Sequence, residues 1–243
     1  MTGRLHAATL RAFADYIAQA EKAMELTLHQ GPFLWALANP EVGELIREGG
    51  VTAEFSRGRA PLKVPHGLIH DWIGALFIPG VSMKQTLALI QDYDNHKNVY
   101  QPDVIDSALL SQKENDFRIY LRLLKKKIVT VILDTDHDVH YQCISPQRWL
   151  CRSSTTRVAE VQDAGTFKER VLPPDTGHGF LWRLSSYWRF ETKDNGVYLE
   201  CRAISLTADI PFGLAWLIAP IIQNLPRESL IHTLEATRRA LRP

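Results

Sequence analysis

The sequence predicts an α+β fold in which a curved antiparallel sheet of about seven strands wraps around one long C-terminal helix. Three observations predict it. Six segments in series between Val104 and Asp209 alternate apolar and polar residues and are separated by short turn signals, the pattern of neighbouring antiparallel strands. A seventh strand-like run, "GLIHDWIGALFIPG" (67–80), precedes them and is followed by the start of a helix. The chain then ends on a long stretch of helical periodicity, Pro211 to Leu241.

Residues 5–29 carry Leu10, Phe13, Ile17, Ala20, Met24 and Leu28 at three- and four-residue spacing, one apolar helix face, which Gly31-Pro32 ends. Breakers at Asn39-Pro40, Gly49-Gly50 and Gly58 divide the stretch to Pro65, where only "VTAEF" (51–55) alternates as a short strand would. Residues 1–65 therefore read as a helical N-terminal extension packed on a main domain, 66–243. In that domain the first strand closes at Pro79-Gly80. Ser82 with Gln85 three residues on is a capping box and starts a helix; a second short helix in "DNHKNVYQP" stops at Pro102. The strands follow as 104–112, 116–124, 129–144, 148–161, 179–191 and 196–209. Asp194-Asn195-Gly196 is the clearest hairpin signal, because Asn-Gly takes the positive φ of tight turns. Pro211 suits a first helical position, and Pro220 and Pro226 are expected to kink or break the final helix.

Composition sets the outer bounds. Of 243 residues, 45% are hydrophobic and 23% charged, with 28 basic and 27 acidic residues and a net charge of +1. That supports a large core and gives no global field for nucleic acid or an anionic membrane. Cys143, Cys151 and Cys201 lack CxxC or Cys/His spacing, which argues against a disulfide framework or zinc site. No segment has the apolar length of a membrane span, and "MTGRLHAATLRAF" lacks the apolar run of a signal peptide. A cytoplasmic location is expected if Met1 is the natural start, and an exported one if a leader has been trimmed.

The stretch "ILDTDHDVH" (132–140) looks like a metal or acid/base centre, but strand parity argues otherwise. Asp134, Asp136, Asp138 and His140 share one face; Leu133, Thr135, His137, Val139 and Tyr141 share the other. Aspartates two apart on a strand have Cβ atoms roughly 6–7 Å apart, too spread to close on one ion. Cross-strand basic partners explain the acidic run better, with Arg152 expected near Asp138 or His140. His137 falls on the apolar face. The same parity places Phe117, Ile119, Leu121 and Leu123 inward, with Trp182, Ser186, Trp188 and Phe190, and with Val197, Leu199 and Cys201. Arg157 joins that face unless a bulge reverses it. Tyr198, Glu200 and Arg202 look outward.

Two stretches resemble the START-like (SRPBCC) superfamily, the helix-grip fold of lipid-transfer START domains, pathogenesis-related allergens and polyketide cyclases. They are "LIHDWIGALFIPGVSMKQTLALIQDYDNHKNVYQP", with Asp92-Tyr93, Tyr100 and Pro102 closing its helix pair, and "HGFLWRLSSYWRFETKDNGVYLECRAISLTADIP". The resemblance covers roughly 67–242 and leans toward the family's bacterial members. It implies an apolar cavity between the sheet and the last helix, and no family-wide catalytic motif. The expected function is binding or transport of a lipid-like or polyketide-like molecule. The expected lining is Tyr100, Leu121, His137, Tyr141, Arg157, Trp182, Ser186, Trp188, Leu217 and Ile221, with Arg157 able to hold a carboxylate or phosphate head. No cofactor, metal or catalytic residue is expected. Two alternatives stay open: a cyclase or aromatase, for which His137 with Tyr141 is the only acid/base pair on offer, and a partner-binding protein whose cavity its own side chains fill.

Overall fold

The computed structural model describes residues 3–29, 31–58, 60–126, 130–209 and 215–242; the side chains of His29 and of 215–223 lie outside that description, as does the expected helix start at Pro211. In chain order the elements are β1 (Gly3–Arg4), α1 (Ala7–His29), α2 (Trp35–Ala38), α3 (Pro40–Arg47), β2 (Val51–Phe55), β3 (Leu62–Val64) and β4 (Gly67–Pro79). Then come α4 (Met83–Ile90), a 3-10 turn at Tyr93–Asn95, α5 (His96–Val99), β5 (Val104–Lys113), β6 (Asp116–Lys126), β7 (Thr130–Ser145) and β8 (Arg148–Gln162). The chain closes with β9 (Arg170–Val171), β10 (Thr176–Gly177), β11 (Arg183–Lys193), β12 (Gly196–Ala208) and α6 (Ala215–Leu241).

Among the described residues one antiparallel sheet runs β2–β4–β12–β11–β8–β7–β6–β5, with β3 also on β4 and β9 on β8. The seven long strands are the seven that alternation predicts. The N-terminal segment adds β2 and β3 to the edge beyond β4. Ser82 and Gln85 do form a reciprocal capping box on α4. The last hairpin turns on Asp194 (φ 54°) and Asn195 (φ 55°), one residue earlier than the Asn-Gly reading, with Lys193 paired to Gly196. Gly196 is still required, since a Cβ there would lie 2.4 Å from the Ile78 carbonyl oxygen. The helix α6 runs unbroken through Pro220 and Pro226, so neither proline ends it as expected. Past Pro226 its packing on the sheet offsets the missing donor. A Cβ at Gly74 would lie 3.1 Å from both Leu230 and Leu234, so the glycine lets α6 approach β4 this closely.

The sheet is covered on both faces. Inward, Leu76, Ile78, Phe117, Ile119, Tyr141, Phe190, Val197 and Leu199 pack with Leu230 and Leu234 of α6 and with Met83 and Ile90 of α4. Outward, Ala75, Phe77 and Tyr198 meet Phe33, Leu34, Ala36, Val42 and Ile46, while Ile69, Ile204 and Leu206 meet Phe13 and Ala20 of α1. This explains why β4 is buried at every residue except Pro79 and reads as a nearly continuous apolar run.

Tyr198, Glu200 and Arg202 do point outward, but into this second interface and not into solvent. Arg202 pairs with Asp71, and Tyr16 of α1 donates to the same carboxylate at 2.7 Å. Glu200 accepts from the Ala36 N–H at 3.0 Å, and burial pushes its carboxyl up to about 7. Arg189 donates to the Phe33 and Met24 carbonyls. Buried charges persist only when paired in this way.

Candidate functional site: the concave floor

Strand register arranges the inner face in transverse rows. One row runs Gly74, Cys201, Trp188, Cys151 and Tyr141, and the next Leu76, Leu199, Phe190 and Trp149. These rows are apolar, and Leu230 and Leu234 of α6 pack against them, with Trp149 and Trp188 left half-buried. The two rows nearer the beginning of β4 differ. Trp72, Ala203, Ser186, Ser153 and Val139 form one. His70, Ser205, Leu184, Thr155 and His137 form the other, with Thr155 tied to Leu184 by a 3.0 Å bond from the Leu184 N–H. Leu184, Ser186, Trp188 and Ala203 are only half-buried although they lie mid-sheet. His70, Trp72, Ser205 and His137 are buried.

Hydrogen bonds fix the two floor histidines. The Thr135 hydroxyl donates to the Leu121 carbonyl at 2.9 Å, so it accepts from His137 Nε2–H at 3.0 Å. His137 Nδ1 is then the acceptor for the Ser153 hydroxyl at 3.3 Å. By the same logic the Thr207 hydroxyl donates to Ala208 O and accepts from His70 Nε2–H at 3.1 Å. His70 Nδ1 is left as a buried acceptor with no partner, and Trp72 Nε1 as a buried donor with none. Burial lowers both histidines to about 4, so both are neutral at pH 7.

The Ser153–His137 contact was not foreseen. It arises because Ser153 faces Val139, one step along the strand face from His137, a register that depends on where the β7–β8 hairpin turns. It has the outline of a nucleophile and base, yet the group behind the imidazole is a neutral threonine that stabilises no imidazolium. His137 and Tyr141 do not form the acid/base pair considered above. Four residues apart on one strand, they are separated by about 13 Å of rise. The Tyr141 hydroxyl instead meets that of Tyr93 at 2.8 Å, and burial raises it well above the usual tyrosine value.

The other expected lining residues scatter. Tyr100 hydrogen-bonds Thr237 and packs with Val104 and Ala236, with Leu121 alongside, at the far end of α6. Trp188 stacks parallel to Phe190, 6.0 Å between centroids. Ser186 lies in the polar rows. Trp182 belongs to the cluster under α1, because β11 begins only at Arg183 and parity does not carry back to it. Arg157 is on the outer face. A register shift after Asp136 places the two opposite each other, and Arg157 Nε donates to Asp136 at 2.8 Å. The side chains of Leu217 and Ile221 lie outside the described residues.

The acidic strand is accounted for by basic partners. Asp134 takes Arg122 at 2.7 Å and the Tyr120 hydroxyl at 2.7 Å, Asp136 takes Arg157, and Asp138 takes Arg118 at 3.4 Å. His140 pairs with Asp116. Arg152 does lie opposite His140, as expected, but its ion pair is with Glu21 of α1 at 2.6 Å. Two surface hollows, about 200 Å³ beside Asp103, Lys125 and His232 and about 320 Å³ beside His6, His66 and His178, are not lined by the floor rows. Among the described residues no helix is long and apolar enough to cross a membrane.

No protein-family model and no curated protein matches the sequence. Solved structures do match. One, from Thermus thermophilus, has a TM-score of 0.50 and 12% identity over 70% of this chain and 94% of its own. A STAR-related lipid transfer protein from Xanthomonas axonopodis has a TM-score of 0.49 and 18% identity over 76% of this chain and 98% of its own. At such identities the likeness is one of fold. With a strand, a helix pair, six strands and a closing helix gripped by the sheet, the chain has the α+β helix-grip fold.

Proposed function

We propose that the chain binds an apolar or amphipathic small molecule between the sheet and α6, over the polar rows of the concave floor. The observation that carries this is the half-burial of Leu184, Ser186, Trp188 and Ala203 in the middle of the inner face, beside fully packed residues such as Leu76, Leu199 and Phe190. A sheet–helix interface packed to native density buries such mid-sheet residues fully. Binding draws on apolar area removed from water, at about 25 cal/mol per Å² before association costs, with a few polar groups setting orientation. The packing of Leu230 and Leu234 on the apolar rows limits the ligand to part of the interface. Its apolar body lies against Trp188 and Leu184, and its polar end meets the His70 row.

The test is native mass spectrometry of the full chain purified from its own host, followed by denaturation and identification of what is released. A stoichiometric apolar molecule supports the proposal. An apo mass, with no uptake from a panel of lipids and polyketides, refutes it.

A further inference from the structure

We propose that the ligand is uncharged and carries a hydroxyl group, held between His70 Nδ1 and Trp72 Nε1; this rests on the binding reading above and narrows it to a ligand class.

Two independent observations lead there. The first is the pair of unserved atoms. His70 and Trp72 are two residues apart on β4 and share the inner face. His70 is wholly buried and Trp72 is 5% exposed, so water does not satisfy them from outside. A buried polar atom without a partner is costly, and a ligand that supplies the partner recovers that cost on binding. The two needs are complementary. His70 Nδ1 wants a donor, because its Nε2 proton is committed to Thr207, and Trp72 Nε1 can only donate. A hydroxyl is the smallest group that both donates and accepts. Cβ atoms at this spacing lie roughly 6–7 Å apart, and the imidazole and indole rings are longer than an aspartate side chain, so in this proposal one oxygen bridges the two.

The second observation is charge. The rows Trp72–Ala203–Ser186–Ser153–Val139 and His70–Ser205–Leu184–Thr155–His137 contain no Lys, Arg, Asp or Glu. Arg157, the one residue whose sequence position suggested an anion holder, is turned outward onto Asp136. A carboxylate or phosphate on this floor would lie desolvated with no cation, facing the lone pair of His70. A ketone would serve Trp72 and leave His70 unserved. An alcohol or phenol serves both.

The test titrates the full chain with decane, 1-decanol and decanoate by displacement of Nile red, with the Trp72→Phe variant alongside. The 15N–H indole resonance of Trp72, assigned from that variant, is followed in parallel on the unsubstituted protein. The expected result is that decanol binds about tenfold more tightly than decane or decanoate, the effect of one buried hydrogen-bonded group. Trp72→Phe should bring decanol down to the affinity that decane has for the same variant. The indole resonance should move with decanol and stay with decane. Decanoate binding as well as decanol, or an indole resonance indifferent to decanol, overturns the hydroxyl assignment and leaves the binding reading standing. If none of the three displaces the probe, the binding reading fails and the hydroxyl assignment with it.

Discussion

Acidification should destabilise this protein before its solvent-exposed carboxylates begin to titrate. Burial lowers His70, His96 and His137 from 6.5 to about 4. The folded chain thus refuses three protons that the unfolded chain accepts. Stability is complete above pH 6.5 and is lost as the pH falls toward 4. Glu200 acts in the opposite sense. Burial raises it from 4.5 to about 7, so its desolvation cost is relieved as the pH falls through 7. Between pH 7 and pH 5 each histidine costs about 2 kcal/mol, about 6 together, and Glu200 returns about 2, for a net loss of about 4 kcal/mol. That is a large fraction of the ~5–15 kcal/mol typical of a domain. Urea unfolding at pH 7, 6 and 5 measures it. Glu200→Gln keeps an oxygen for the Ala36 N–H and removes the compensating proton, so its loss over the same range should grow to about 6 kcal/mol. A stability that is flat or rising from pH 7 to pH 5 would refute the assignment of buried, neutral histidines.

Three further outcomes follow from the same contacts. Arg202→Met and Asp71→Asn should each cost about 3–5 kcal/mol by denaturant unfolding, and the double variant much less than their sum, because each single change strands a buried polar partner; simple additivity would show that the pair is not coupled. Leu234→Ala, fully buried against Gly74, should cost about 3 kcal/mol and lower the midpoint without changing the slope against denaturant. On the acidic strand, Arg118→Ala should change stability by less than about 0.5 kcal/mol, since Arg118 and Asp138 are both more than half exposed. Arg122→Ala should cost clearly more in the same assay, because Asp134 is 7% exposed and loses a two-pronged partner; equal effects would count against burial as the deciding variable.

Period-two alternation made the sheet legible, because one inward and one outward side chain per two residues is a constraint that each strand meets alone. Phe117 to Leu123 and Val197 to Cys201 are read correctly for that reason. Arg157 is misread because parity survives only as long as the register does, and a single extra residue near Thr156 inverts everything after it. Trp182 is misread because the strand begins at Arg183, not at Gly179, whose positive φ of 73° marks a turn. The outer interface left a weaker trace. Asp71, Arg189, Glu200 and Arg202 look like a wet face when each strand is read alone. Their partners Tyr16, Met24, Phe33 and Ala36 lie far away in sequence, on α1, on α2 and on the segment between them, whose docking position no local pattern encodes.

The two sides of the same strands therefore carry different kinds of polarity. On β12, Glu200 and Arg202 point out to partners in the N-terminal segment and on β4, while Ala203, Ser205 and Thr207 line the inner floor beside β4's His70 and Trp72. Charged groups are tolerated on the outer side because fixed partners meet each of them. The two polar rows of the inner floor hold only uncharged donors and acceptors, which cost little to bury when paired and can be served by a small neutral molecule. That asymmetry separates a floor suited to an apolar ligand from an ordinary core. A core would satisfy His70 and Trp72 from within the chain, and a site for an anion would bring one of the many available arginines to the inner face.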